Sequence, residues 1–265
     1  EASHYFYNEI EDMVKNGIRK VGLGVMAFAD MLIELGIPYN SEEGLAMGEK
    51  IMKFINERSI LASGELAKVR GNFPNYKGSK WEERGVEFMR NACVTTVAPT
   101  GSLSVMADCS SGIEPVFALA YTRYGLGTDV KKKEKIMFDV NKQFLKVLKD
   151  QWLYSEELME EIVDKGSAQD ISEIPEDIRK VFVTAMDIAP EWHVKMQAAF
   201  QKHVDSAITK TINLPSTATR EDVEKAYLLS YQLKNKGITV YRDQSRHEQI
   251  LTVGKRSNWT AENKK

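Results

Sequence analysis

Short β-branched runs alternate with longer helical stretches in this chain of 265 residues, and the alternation limits the folds open to it. The runs typical of strands lie at 91–99, 114–123, 206–215 and 237–243. Helical patterns occupy most of the sequence between them. Strands that are separated by helices usually pair in parallel, because the crossover brings each new strand back beside an earlier one. We therefore predict an α/β fold with helices packed around a mostly parallel sheet.

The first half of the chain carries two predicted helices. Residues 8–36 are predicted to be helical, and the pattern stops at the Gly-Ile-Pro sequence that ends it. Gly22 and Gly24 lie inside this stretch, and we interpret them as small residues that let helices pack closely. Ser41 is predicted to be the N-cap of a longer helix that reaches about Arg70.

The second half begins with a mostly helical stretch, predicted at 129–203. Three residues are expected to break it: Gly166, Pro175 and Pro190. The basic run at 131–135 is interpreted as the solvated start of a helix. Thr219 and Asp222 form a capping-box pattern for a final helix, which we expect to close at Gly237.

Composition excludes several classes of function. The net charge of −2 argues against a broad basic surface that would bind nucleic acid or an anionic membrane. No apolar run is long enough to span a bilayer. The two cysteines, Cys93 and Cys109, are not in CxxC spacing, which argues against a disulfide framework and favours a reducing compartment. We therefore expect a cytoplasmic protein with neither nucleic acid nor membrane as a partner.

Metal-ligand spacing is also missing from the sequence. Four histidines are scattered along it: His4, His193, His203 and His247. None of them forms an HxxH or HExxH pair, so no metal site is predicted.

The chemistry-bearing part of the sequence is "TTVAPTGSLSVMADCSSGIEP", residues 95–115. A buried strand through 96–98 is predicted to turn at 99–102 and to enter a short helix at 103–106. Such a junction presents unpaired N–H groups and the positive end of a helix dipole to one point. Glycine and hydroxyl side chains there fit a phosphate cradle. A capped helix start with no ligand remains open as the alternative.

A second cluster, "DCSSGIEP", follows at the same strand ends. Cys109 has no assured histidine partner, so it is either a small buried residue or a nucleophile. Glu114 precedes a proline in an extended segment, where its carboxylate can accept hydroxyl or amide hydrogens or cap a local turn.

Four segments of the chain, in order, resemble the catalytic subunit of ribonucleotide reductases. They are "RKVGLGVMAFADMLIELGIPYNSEEG", "NACVTTVAPTGSLSVMADCSSGIEPVFALAYTR", "AMDIAPEWHVKMQAAFQKHVDSAITKTINLP" and "AYLLSYQLKNKGITVYRDQSR". The resemblance runs from about residue 8 to about residue 251 and is greatest to class II, the adenosylcobalamin-dependent type.

The resemblance implies a ten-stranded α/β barrel built from two parallel half-sheets. Residues 1–251 would form its C-terminal part, and 252–265 a polar tail. "APTGSLS" matches the family's loop that holds the substrate's phosphates, which carries that role to Pro99, Thr100, Gly101, Ser102, Leu103 and Ser104. A wider role as active-site wall is assigned to Cys109, Ser110, Gly112 and Glu114.

The implied activity is reduction of ribonucleoside di- or triphosphates to deoxyribonucleotides. In this family adenosylcobalamin generates a cysteine thiyl radical that abstracts the 3′-hydrogen, and a cysteine pair reduces C2′. The family's Asn-Pro-Cys-x-Glu stretch is missing here, so we assign no catalytic residue and expect the chain alone to be inactive. The alternative is a non-catalytic half-barrel that complements a separately encoded N-terminal half, or self-associates through its sheet edges.

Overall fold

Parallel extended segments covered by helices form the centre of the fold, in a computed structural model that describes residues 7–124, 136–245 and 251–252. The helices are α1 Asn8–Met13, α2 Phe28–Glu34, α3 Glu42–Arg70, α4 Lys80–Glu83, α5 Gly101–Ala107, α6 Lys142–Asp150, α7 Glu156–Lys165, α8 Glu176–Val181, α9 Pro190–Gln201 and α10 Arg220–Gln232. The strands are β1 Ala120–Tyr124, β2 Ile136–Val140, β3 Thr211–Leu214, β4 Thr239–Arg242 and β5 Leu251–Thr252. The predicted basic run at 131–135 and residues 253–265 of the predicted tail lie outside the described residues.

The parallel layer contains four extended segments in spatial order. They are 21–23, 93–97, 206–214 and 239–242. The Leu23 N–H donates to the Val94 carbonyl at 2.9 Å, and the Thr209 N–H donates to the Val97 carbonyl at 3.0 Å. β3 and β4 complete the layer as a parallel pair. Helices on a small parallel sheet are confirmed, but the described part of the chain does not close a ten-stranded barrel.

The predicted helix over 8–36 is wrong in its middle. A π-helical turn at Val14–Ile18 follows α1, and residues 19–27 are not helical. The reason is the neighbouring segment: a Cβ added at Gly24 would lie 2.3 Å from the Thr96 carbonyl oxygen. Gly22 and Gly24 therefore allow two extended segments to approach each other, rather than two helices.

The predicted helix caps are confirmed more often than the predicted strands. Ser41 caps α3, since its hydroxyl accepts the Gly44 N–H at 3.0 Å, and Thr219 and Asp222 form a reciprocal capping box on α10. α10 nevertheless ends at Gln232, and Lys234 takes the left-handed conformation instead of Gly237.

One strand prediction and one helix prediction need correction. The predicted strand at 114–123 is regular only from Ala120, where β1 pairs antiparallel with both β2 and β5. The stretch 129–203, predicted to be mostly helical, also contains the strand β2. The described residues thus contain a small antiparallel sheet, β2-β1-β5, in addition to the parallel layer.

The main core lies between α2, α3 and α9. Phe28 packs edge-on against Phe200, with ring centroids 4.9 Å apart, and against Tyr39 at 6.1 Å. Tyr39 is buried and its hydroxyl donates to the Ile113 carbonyl at 2.6 Å. The core therefore supports the segment that follows α5. None of the described helices has the length and hydropathy to cross a membrane.

Gly24→Ala tests the close approach of the extended segments. The new methyl group would overlap the Thr96 carbonyl, so we expect the free energy of unfolding to fall by about 1–3 kcal/mol. Gly237→Ala is the matched control, because a Cβ there meets no atom within 4 Å. Urea unfolding measures both variants, and equal stability of the two would contradict the packing account.

Candidate functional site

The predicted junction at 95–107 forms a turn that leads into α5. Thr100 is its N-cap residue and takes the left-handed conformation, with φ 52° and ψ 20°. The first intrahelical bond runs from the Ser104 N–H to the Thr100 carbonyl at 2.7 Å. Because the helix starts there, the N–H groups of Gly101, Ser102 and Leu103 have no acceptor inside it. These three residues are exposed, so the start of the helix is open to solvent.

Gly112 supports the left-handed conformation of Thr100. Its N–H donates to Thr100 Oγ1 at 2.8 Å, and its own φ of +50° is one that side chains disfavour. A Cβ at Gly112 would lie 3.3 Å from the Ala98 carbonyl oxygen. A left-handed non-glycine residue persists only where its surroundings fix it, and Gly112 supplies part of that support.

Three of the predicted wall residues, Ser110, Gly112 and Glu114, lie in the segment 110–114, and the fourth, Cys109, directly precedes it. Every residue of the 110–114 segment is hydrogen-bonded to another part of the chain. The contacts are Ser110 N–H to Asp30 Oδ2 at 2.6 Å, Ser111 Oγ with Ser104 Oγ at 2.6 Å, Gly112 N–H to Thr100 Oγ1, Tyr39 Oη to the Ile113 carbonyl, and Thr211 N–H to Glu114 Oε1 at 2.6 Å. The 110–114 segment is therefore a fixed support beneath the turn into α5.

A buried lysine anchors the end of this segment. Lys210 is 0 % exposed, and its ammonium donates to Glu114 Oε2 at 2.6 Å, to the Thr211 carbonyl at 2.6 Å and to His193 Nδ1 at 2.9 Å. An ammonium has three N–H groups, so all of them are used. His193 Nε2 lies 3.0 Å from the Ala185 carbonyl and donates to it, which leaves Nδ1 as the acceptor.

Burial sets the protonation of this cluster. It lowers the pKa of His193 to about 3, and the positive charge of Lys210 acts in the same direction. Burial also lowers the pKa of Lys210, while the Glu114 carboxylate opposes that shift. The pKa of Tyr39 is raised by burial and by the nearby Glu114 charge. A neutral imidazole and a neutral phenol thus surround a single ion pair.

Neither cysteine has the surroundings of a reactive thiol. Burial raises the pKa of Cys109, and the carboxylates of Asp30 and Asp108 raise it further. Burial and Asp205 likewise raise the pKa of Cys93. Both thiols are therefore protonated at neutral pH, and no described group activates either as a nucleophile.

The structure brings together most of the residues singled out in the sequence. Residues 99–104 form the turn and first helical residues, and Ser110, Gly112 and Glu114 support them. Ser104 differs from expectation, because its hydroxyl faces inward to Ser111 and to the Gly101 carbonyl.

The sequence did not indicate that Lys210, His193, Asp30 and Tyr39 contribute to this site. The one available signal was Lys210 itself, a single charge inside the β-branched run "SAITKTINLP". No group of three or more His, Cys, Asp or Glu side chains suited to a metal ion occurs in the part of the chain that the structure describes.

Comparison with known proteins gives a consistent result. The family model described as "Ribonucleotide reductase, barrel domain" matches residues 1–89 and 83–241. A vitamin B12-dependent ribonucleoside-diphosphate reductase from Thermoplasma acidophilum is 51 % identical over 247 residues, which are 93 % of this chain and 30 % of that protein. One of the same name from Mycobacterium tuberculosis is 42 % identical over 95 % of this chain and 35 % of its own length.

A solved structure shares the fold. The Actinobacillus ureae class Id ribonucleotide reductase alpha subunit superposes with a TM-score of 0.73 at 25 % identity, covering 88 % of this chain and 40 % of that one. The chain spans about a third of the length of the two reductases above.

The pH dependence of stability tests the buried His193. Its pKa is about 3 in the folded protein, whereas the unfolded side chain titrates near 6.5. Below pH 6.5 the unfolded chain takes up a proton that the folded chain does not. The free energy of unfolding therefore decreases as the pH is lowered, by up to about 1.4 kcal/mol per pH unit. Lys210, the Glu114 bound to it and the carbonyls of Ala185 and Ile188 face the ring.

Urea unfolding of the wild type and His193→Gln between pH 7 and 5 measures this effect. The other titrating groups are common to both proteins, so the difference between the two curves isolates His193. We expect the variant to lose less stability on acidification, and parallel curves would contradict a neutral buried imidazole.

The turn into α5, the 110–114 segment and nearly all of the parallel layer lie within the residues that the family model matches. The chain belongs to the ribonucleotide reductase barrel-domain family.

Proposed function

We propose that this chain is part of an enzyme that reduces ribonucleotides to deoxyribonucleotides, and that residues 99–104 bind the phosphates of the substrate. The relatives are named ribonucleoside-diphosphate reductases, which favours a diphosphate over a triphosphate. The observation that carries the assignment is that the "APTGSLS" motif forms an exposed turn whose first helical N–H groups have no acceptor within the helix.

The geometry suits an anion in three ways. The N–H groups of Gly101, Ser102 and Leu103 point out of the helix start, and the dipole there favours negative charge. The Thr100 hydroxyl accepts from Gly112, which leaves its proton for a ligand. The Ser102 side chain is exposed beside it.

The remaining residues have supporting roles in this proposal. Pro99 is exposed at the start of the turn. The hydroxyl of Ser104 faces inward and links the turn to Ser111. Cys109 donates its N–H to the Ser104 carbonyl at 3.0 Å, so with Ser110, Gly112 and Glu114 it forms the wall beneath the turn. Fixing the phosphates would hold the ribose in register for reaction, which is a positioning contribution.

The names of the relatives also bear on the cofactor. Both reductases are named vitamin B12-dependent, and adenosylcobalamin when bound supplies the radical that starts reduction. No residue of this chain is assigned to the cofactor.

Gly101→Val tests the phosphate assignment. A Cβ at residue 101 meets no atom of the chain within 4 Å, so the fold tolerates the substitution. The valine side chain would instead occupy the space where a phosphate approaches the N–H groups. We expect calorimetry with a ribonucleoside diphosphate to show binding by the wild type and at least a tenfold loss, about 1.4 kcal/mol, in the variant.

Gly237→Val is the matched control, because its Cβ is equally unobstructed and lies outside the turn. It is expected to bind like the wild type. Equal affinity of Gly101→Val and Gly237→Val would overturn the assignment.

A second candidate is a half-barrel that binds phosphate without catalysis and completes itself with a separate N-terminal half or a second copy. Exposed apolar residues at the edge of the parallel layer favour it: Val21 is 50 % exposed and Leu23 54 %. β4 forms the opposite edge and is hydrogen-bonded only to β3 among the described strands. Unpaired edges of this kind recruit further strands.

Sedimentation velocity and light scattering test this candidate. If the edges seek partners, the chain self-associates with rising concentration, and adding an N-terminal half suppresses the self-association. Deoxyribonucleotide production on mixing would favour the enzyme over the non-catalytic module. A stable monomer that does not bind the added N-terminal half would contradict edge pairing.

A further inference from the structure

We propose that Lys210 is a positioning residue for the phosphate-binding turn, acting through Glu114 and the 110–114 segment. The inference rests on the proposed function, since it concerns the turn assigned there to the substrate's phosphates. Lys210 itself is fully buried, and its three N–H groups are all bonded within the chain.

The lysine joins three separate elements. His193 comes from α9, Thr211 begins β3, and Glu114 ends the 110–114 segment. Each offers one acceptor to the same ammonium, at 2.6–2.9 Å. Because an isolated buried charge is strongly unfavourable, the three acceptors must stay in place together. Lys210 therefore fixes Glu114 relative to α9 and β3.

The position of Glu114 is passed to Thr100 through a tight turn. The Glu114 N–H donates to the Ser111 carbonyl at 2.9 Å, and Gly112 lies inside this turn. The Gly112 N–H in turn bonds to Thr100 Oγ1 at 2.8 Å. Only Ile113 lies between Gly112 and Glu114, so displacement of one end of the turn moves the support of the left-handed Thr100.

The opposite end of the segment is held independently. Ser110 bonds to Asp30 and accepts the Ala27 N–H at 2.9 Å, and neither contact involves Lys210. Tyr39 holds Ile113 from the main core. Loss of the ammonium therefore releases one anchor of the segment and leaves the others, so the expected effect is local.

Lys210→Met tests the proposal in the full chain, with Lys202→Met as the matched control. The control removes the same type of group from an ion pair with Glu49, but on an exposed side chain. Amide hydrogen exchange is measured without ligand, and pyrophosphate affinity by calorimetry. Glu114→Gln is a second variant, since its amide oxygen can still accept the Thr211 N–H.

We expect Lys210→Met to exchange about tenfold faster at Gly112 and Ser104 while α3 stays protected, and to bind pyrophosphate about tenfold more weakly. Lys202→Met is expected to match the wild type in both. A merely structural lysine would change unfolding without this local pattern.

The outcomes separate the two proposals. Faster exchange at Gly112 and Ser104 in Lys210→Met, with no pyrophosphate binding by the wild type, overturns the phosphate assignment but supports the coupling. Unchanged exchange there overturns the positioning role, whether or not pyrophosphate binds. If Lys210→Met and Glu114→Gln both lose cooperative unfolding, the cluster holds the whole fold and the proposal is wrong.

Discussion

The burial of one ammonium group constrains the centre of this structure. Lys210 is fully enclosed, and its three N–H groups require acceptors from α9, β3 and the segment after α5. Those acceptors can meet only if the parallel layer, the long helices and the loop pack in one arrangement. The neutral state of His193 is part of the same constraint, because a protonated ring could not accept from the lysine.

Features that depend on neighbouring residues were predictable from sequence. The caps at Ser41 and Thr219 involve bonds over three residues, so the residue types alone indicate them. The strand–turn–helix junction around Thr100 is local in the same sense. Parallel pairing of β3 with β4 also followed, since a helix separates the two strands.

Features that depend on distant residues were not predictable. Gly22 and Gly24 resemble helix-packing glycines until Thr96, more than 70 positions away, is placed beside them. Lys210 meets Glu114 across 96 positions and His193 across 17. No periodicity in a single sequence encodes such meetings. The sequence therefore indicated the turn and its hydroxyl groups, but not the cluster that supports it.

We place phosphate binding at the start of α5, on a segment held by the core and by a buried ion pair. The most direct test is a titration of the 15N-labelled chain with a ribonucleoside diphosphate, followed by amide chemical shifts. The account predicts that the largest changes fall on Gly101, Ser102 and Leu103, with smaller changes at Gly112. Saturable changes confined to another surface, with those amides unmoved, would contradict it.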